Sequence, residues 1–280
     1  MSDPRDEDLI ARLAAGDRAA LEPLFAAYAG RVRRLALAIT RDDAASDEVV
    51  QDTFVRAIDG ARTFDPTRGA ARPWLLAIAR NLARDAARAR REIPSADLSE
   101  DGDDAPLGPL AANAGWGASS PEALVARAED AGRIARALAS LAPTDREVLV
   151  LRDLDDLDPD ALAGVLDIPV ARAKSRLHRA RLRLLAALET EEDGVRASER
   201  TVGGMTCSEV LAHLSDFVDG ALGATDEARV RAHLVECSVC ERFGGRYAGA
   251  VSDLRARLGA VPAVDPAVLA DLARRLGARP

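Results

Sequence analysis

Apolar residues in the first third of the chain recur every three or four positions. Leu21, Leu24, Phe25, Tyr28, Val32, Leu35 and Ile39 mark one face of a long helix. Leu9, Ile10 and Leu13 give a shorter helix before it, stopped by Gly16. Val49, Val50, Phe54 and Ile58 give a third, over 47–59. Leu75, Ile78, Leu82 and Ala86 give a fourth, after the loop 63–72. The same step returns with Leu162, Val165 and Leu166, and with Ala173, Leu177, Ala180 and Leu184. No segment alternates as a half-buried strand would, so the pattern predicts an all-α protein.

The periodicity lapses in two places. Residues 92–120 are rich in Pro, Gly, Asp and Ser, and residues 190–203 form a shorter break. Both predict linkers. The pattern thus divides the chain into helical domains at 1–91, 121–189 and 204–258, joined by linkers at 92–120 and 190–203, with a tail at 259–280. Several helix starts are written into the sequence. Ser120-Pro121 and Asp158-Pro159 place a capping residue before a proline in the first turn. Thr144 to Glu147 and Thr206 to Glu209 have the form of capping boxes.

Composition agrees with helices: alanine, leucine and arginine dominate, and lysine occurs once, at Lys174. The N-terminal segment is acidic and has no apolar stretch of the signal-peptide kind. Nothing approaches the ~18 apolar residues of a membrane span. A cytoplasmic protein with no membrane partner is expected. The net charge of −8 is unevenly spread, with six acids and no base in 92–120 but six bases and no acid in 168–188.

That basic stretch is the second helix of a helix-turn-helix. The short helix before it contributes Leu162, Val165 and Leu166 to a shared core, and Asp167 occupies the turn, where Asp tolerates a left-handed backbone. Arg172, Ser175, Arg176, Arg179 and Arg183 fall opposite the apolar face, with Lys174 nearby. Arginine forks onto guanine edges, and any of these cations holds phosphate. A solvated basic helix in an ordinary bundle accounts for the same stripe. A second stripe, Arg80, Arg84 and Arg88 with Asn81, lies on the fourth helix. Trp74 there fills the core or stacks on a base.

The chain has three cysteines. Cys237 and Cys240 form a C-x-x-C pair, His233 lies one helical turn before Cys237, and Cys207 lies on the helix before. These make a Cys3His set, which suits one tetrahedral zinc with no open coordination position: a structural centre, not a hydrolytic one. His213 is the competing ligand, but it lacks a partner at useful spacing. Three buried free thiols are the alternative. There is no H-E-x-x-H and no carboxylate pair clustered with histidine, which argues against an enzyme.

Residues 42–58 (DDAASDEVVQDTFVRAI), followed by FDPTRGAARPWLLAIARNLARDAARARR, resemble the core domain of sigma-70 family RNA polymerase sigma factors of the extracytoplasmic-function group. LASLAPTDREVLVLRDLDDLDPDALAGVLDIPVARAKSRLHRARLRL resembles that group's second DNA-binding domain. MTCSEVLAHLSDFVDGALGATDEARVRAHLVECSVC resembles the zinc-binding anti-sigma domain. The resemblance implies that Asp47, Glu48, Gln51 and Asp52, on the exposed side of the third helix, bind core RNA polymerase. It implies that the 64–73 loop and the fourth helix read the −10 element of promoter DNA, and that the helix-turn-helix reads the −35 element. The acidic linker would mimic a phosphate backbone inside polymerase. Asp167 stands where the family often has Gly, and Ala171-Arg172-Ala173 where it often has Gly-Thr-Val. The C-terminal domain is expected to regulate the sigma domains through an intramolecular contact, and thiol oxidation with zinc loss frees sigma in some relatives. The competing expectation is a helix-turn-helix regulator with a zinc or redox sensor, acting without core polymerase.

Overall fold

The computed structural model describes residues 4–67, 69–90, 131–188 and 199–277. The acidic linker, the Ser120-Pro121 helix start and most of the second linker lie outside the described residues. The described chain is helical apart from one small hairpin, as the periodicity predicts. It forms two compact units.

The first unit holds α1 (Pro4–Ala14), α2 (Leu21–Thr40), α3 (Asp43–Gly60), α4 (Ala71–Arg90), the stretch Val150–Val170 with α7 (Pro159–Leu166), and a C-terminal helix, α12 (Pro266–Gly277). Gly16 ends α1 with a positive φ of 92°. Helices α2, α3 and α4 pack on one another around Leu24, Val32, Leu35, Val50, Phe54, Leu75 and Leu76, all buried. The Phe25 and Phe54 rings lie 4.8 Å apart. Helix α3 begins four residues before the expected start. The Asp42 side chain accepts a hydrogen bond from the Ala45 amide at 2.7 Å and caps it. Trp74 is half-buried, its ring 5.1 Å from that of Phe64.

Helix α6 (Pro143–Leu149) starts at Pro143, so Thr144 sits inside its first turn and does not cap it. The Ala142 carbonyl accepts from the Arg146 amide instead. The expected capping box at 144–147 is therefore not formed. Its acids are buried, and Asp145 accepts two hydrogen bonds from Arg183 Nη1, each at 2.9 Å. Beyond α6 the coil widens: Asp155 N–H donates to the Val150 carbonyl and Leu157 N–H to Leu151. Asp155, fully buried, then accepts from Arg31 at 3.0 Å and Arg34 at 2.5 Å, both on α2. Helix α7 packs against α4.

Capping of α7 follows the sequence. Asp158 accepts from the Ala161 amide at 2.9 Å, Pro159 stands in the first turn, and Asp167 ends the helix at φ 55°, ψ 48°. Helix α8 (Val170–Leu188) follows at once.

The second unit contains α5 (Ala131–Ser140), α6, α8, a hairpin of β1 (Thr201–Val202) and β2 (Met205–Thr206), α9 (Cys207–Val218), α10 (Ala224–Glu236) and α11 (Ser238–Leu258). The hairpin corrects the expectation of no strands. Gly203 and Gly204 both have positive φ, 58° and 73°, and so close a two-residue turn that joins strands too short to show alternation. The capping box at Thr206 forms in full: Glu209 N–H donates to the Thr206 hydroxyl, and Thr206 N–H to the Glu209 carboxylate. Helices α9, α10 and α11 enclose Val210, Leu211, Leu214, Val230, Phe243 and Tyr247, and Leu182 and Leu185 of α8 join the same core.

His178 on α8 is buried against α11, its Nδ1 3.1 Å from the Tyr247 hydroxyl. Burial, then the neighbouring charges of Arg181 and Arg179, push its pKa from the ordinary 6.5 down to about 4. The folded state therefore holds His178 neutral where the unfolded chain takes up a proton. This stability is complete above about pH 6.5 and falls as pH drops towards 4, by roughly 3 kcal/mol in all. Replacing His178 with Leu should remove that part of the acid sensitivity. Unfolding midpoints of the two proteins from pH 7 to 4 should converge as the medium becomes more acid; parallel curves would contradict the assignment.

Candidate metal centre and nucleic-acid interface

The capping box fixes the first residue of α9, which is Cys207. Helix α10 carries His233 on its inner face. The chain then leaves helical geometry at Cys237 (φ −110°, ψ 100°) and re-enters a helix at Ser238, which brings Cys240 back beside Cys237. All four residues are buried, and their ligand atoms lie within 4.8 Å of one another. Cys207 Sγ is 3.5 Å from His233 Nε2 and 3.9 Å from Cys237 Sγ. Zinc–sulfur bonds of about 2.3 Å and zinc–nitrogen bonds of about 2.0 Å make tetrahedral edges of roughly 3.5–3.8 Å, so these separations suit one ion.

The tautomer suits it too. His233 Nδ1 is 2.9 Å from the Met205 carbonyl, which can only accept, so the proton resides on Nδ1 and Nε2 turns its lone pair to the sulfurs. Burial pushes the Cys207 thiol pKa up, and burial with the adjacent cysteines does the same at Cys240. At Cys237 burial also raises the pKa, but the Cys240 amide, His233, the Cys240 thiol and the Val239 amide together bring it down to about 7. One sulfur of the set is thus favoured as thiolate. Bound zinc would supply a fixed cross-link between α9, α10 and α11. His213 is half-exposed and lies outside the cluster.

The basic residues expected to meet DNA are only partly presented to solvent. On α8, Arg172, Lys174, Ser175 and Arg176 are half-exposed. Arg179, expected on the open polar face, is 4 % exposed. Arg183 is forked onto Asp145, and Lys174 Nζ lies 3.2 Å from Asp216 of α9. Arg181, which the sequence reading did not single out, is the most committed. Its guanidinium donates to both oxygens of Asp219, at 2.8 and 3.1 Å, and to the Ser215 hydroxyl at 2.8 Å. Arg255 of α11 adds a 2.7 Å bond to Asp219. The six-base run was a usable signal for Arg181, but its helical position beside Leu177 and Leu184 concealed its partner. On α4, Asn81 and Arg88 are exposed and Arg84 is half-buried, whereas Arg80, expected on the polar side, is buried.

On α3, Glu48 and Asp52 are exposed. Asp47 accepts from Arg33 at 2.7 Å, and Gln51, expected on the exposed side, is 8 % exposed. Asp52 is 2.7 Å from Arg275 of α12. Helix α12 lies in the tail to which the sequence reading assigned no structure. Asp265-Pro266 and the four-residue step of Val268, Leu272 and Leu276 were the signals for it. Among the described residues no helix is long and apolar enough to cross a membrane.

Comparison with known proteins places three family models along the chain: "Sigma-70 region 2" over residues 24–93, "Sigma-70, region 4" over 131–184, and "Putative zinc-finger" over 207–240. The RNA polymerase sigma factor CnrH of Cupriavidus metallidurans is 33% identical over 192 residues, which is 68% of this chain and 98% of that protein. The ECF RNA polymerase sigma factor SigC of Mycobacterium tuberculosis is 32% identical over 185 residues, 64% of this chain and 89% of that one. A solved structure of CnrH in complex with the cytosolic domain of CnrY is 30% identical, with a TM-score of 0.45, and covers 64% of this chain and 94% of that one.

Replacing Cys240 with Ser should reduce the zinc that co-purifies from one ion per chain to well below that, and lower the unfolding midpoint of the second unit. Undiminished one-to-one zinc by elemental analysis would refute the ligand assignment.

Proposed function

Because the chain belongs to the sigma-70 family of RNA polymerase sigma factors, in its extracytoplasmic-function group, we propose that it binds core polymerase in the cytoplasm, directs it to promoters, and is held back by its own zinc domain. It acts by binding, without a catalytic step. Asp47, Glu48, Gln51 and Asp52 of α3 are the polymerase contacts. Asn81, Arg84 and Arg88 of α4, with Arg80 once it is uncovered, serve the −10 element. Arg172, Lys174, Ser175, Arg176, Arg179 and Arg183 of α8 serve the −35 element.

The observation that carries the regulatory part is the pairing of Lys174 with Asp216 and of Arg181 with Asp219. Carboxylates of the zinc domain hold two cations of the helix that would meet DNA. A carboxylate and a phosphate compete for the same donors. Zinc enters at one remove: it would fix Cys207 at the start of α9, the helix that carries Ser215 and Asp216 and ends at Asp219. Loss of the ion loosens that helix and with it the clamp on α8. In the first unit α7, of the helix-turn-helix domain, packs on α4, the helix expected to read the −10 element.

The test is promoter-dependent transcription with core polymerase, comparing the full chain with a chain carrying Asp216→Ala and Asp219→Ala. The double variant should give several-fold more transcript and bind a −35 duplex more tightly in the presence of core. Equal activity of the two would remove the inhibitory role of the zinc domain. Tight duplex binding by either protein without core would favour a free-standing helix-turn-helix regulator.

A further inference from the structure

Two of the four candidate ligands are brought together locally. Cys237 and Cys240 are near neighbours in the chain, and the break in helical geometry at Cys237 sets them side by side. Cys207 and His233 have no such local tie. They stand 26 residues apart on different helices, yet Sγ and Nε2 are 3.5 Å from each other. Something outside the ligand set must hold them. The hairpin ahead of α9 bonds to both. The Arg200 carbonyl accepts from the Cys207 amide at 3.0 Å, and the Met205 carbonyl lies 2.9 Å from His233 Nδ1. Thr201 pairs with Thr206 and Val202 with Met205, so the two carbonyls belong to one small paired unit.

A two-stranded hairpin is marginal by itself, and this one is tied to its neighbours along its length. Glu199 accepts from the Ser208 amide at 3.1 Å and from the Ser208 hydroxyl at 2.9 Å, and these donors hold the Glu199 carboxyl below its ordinary pKa. Arg229, one turn before His233 on α10, donates to the Gly204 carbonyl in the turn. Met205 buries its side chain in the core that also contains the three cysteines. The hairpin packs on both α9 and α10, the helices that carry Cys207 and His233.

We propose that residues 199–206 are part of the metal centre: an arm that fixes Cys207 and His233 relative to each other and sets how tightly the ion is held, with Arg229 as its positioning residue. This rests on the reading of Cys207, His233, Cys237 and Cys240 as one zinc site. It extends that site beyond the four ligands and beyond residues 207–240, over which the zinc-finger model matches. A carbonyl on Nδ1 keeps the imidazole proton off the ligating nitrogen and stops the ring from turning. Partners of this kind are worth about ten- to a hundredfold in metal affinity.

The test is competition for zinc between the full-length protein and a chromophoric chelator. Arg229→Ala removes the donor to the turn. Gly204→Val strains the turn itself: Gly204 has φ 73°, a conformation that valine resists, while an added Cβ meets nothing within 4 Å. Both should weaken zinc binding by about tenfold or more and still take one ion per chain at saturating zinc. Arg229→Lys, which keeps a donor, should lie nearer the parent. The second readout is the His233 Nδ1 proton, followed by NMR in the zinc-loaded protein. Its bond to Met205 should protect it from exchange in the parent, and both variants should shorten its lifetime. Leu214→Ala is the control: it thins the core and should lower the unfolding midpoint without exposing that proton. If Arg229→Ala and Gly204→Val hold zinc as tightly as the parent, the arm is packing alone and the proposal fails. It fails too if Leu214→Ala weakens zinc and exposes the proton as much as they do, because general destabilisation then accounts for the effect. If the parent takes up no zinc, or Cys240→Ser takes up as much as the parent, the ligand reading itself falls and the arm with it.

Discussion

Arg181 has no exposed side-chain surface, and a guanidinium in that position is tolerable only where its charge is met. Asp219 meets it with both oxygens, and Ser215 takes a further N–H. Remove that carboxylate and a buried positive charge loses its bidentate partner. The same acid also holds Arg255 of α11. Asp219 thus ties α8 and α11 to the end of α9. The first unit repeats the device: one buried acid, Asp155, is met by two arginines, Arg31 and Arg34 of α2. In both places a buried pair specifies which surfaces meet, and hydrophobic area supplies the adhesion.

The metal centre works on the same helix by a different means. Cys207 opens α9 and Asp219 caps its end, so the helix that begins at the ligand set finishes at the clamp. A domain of this size has a small core, and the four ligands fall where α9, α10 and the start of α11 converge. A metal cross-link at one end of α9 would keep its other end in register with α8, beyond what the apolar contacts of Val210, Leu211 and Leu214 supply.

Much of this was legible in the residues. Caps at Asp158 and Thr206, the left-handed Asp167 and the Cys3His set depend on short-range chemistry, and short-range spacing displays them. Two-residue strands have no period, so only Gly203-Gly204 marks the hairpin in the sequence. The capping box at Thr144 was a correct motif in the wrong frame, since Pro143 starts the helix one residue earlier and Asp145 is drawn to Arg183, 38 residues away. The same limit explains Gln51, Arg80 and Arg179. Each lies on the polar side of its own helix, and burial by a neighbouring element leaves no trace in local periodicity. Long-range ion pairs such as Arg181–Asp219 and Arg275–Asp52 are likewise silent in a sequence read one helix at a time.

A contact between two parts of one chain has a particular energetic character. Tethering gives it a high effective concentration, so it need not be strong to persist. The α12 stripe meets that description: three aliphatic side chains, each contributing about 1.5–3 kcal/mol when fully buried, against the entropy of ordering a short helix and its strap. The Arg275–Asp52 pair, half in solvent, adds little to that balance. The Arg181–Asp219 fork differs in kind. It is buried, it has two oxygens on one guanidinium, and it yields only if the surrounding helices move apart. A contact of the first kind gives way to a competitor for its surface. A contact of the second kind gives way to a change within its own domain, such as loss of the cross-link at the start of α9. The α12 seat and the Arg181–Asp219 fork thus differ in kind, one half open to solvent and one sealed among helices.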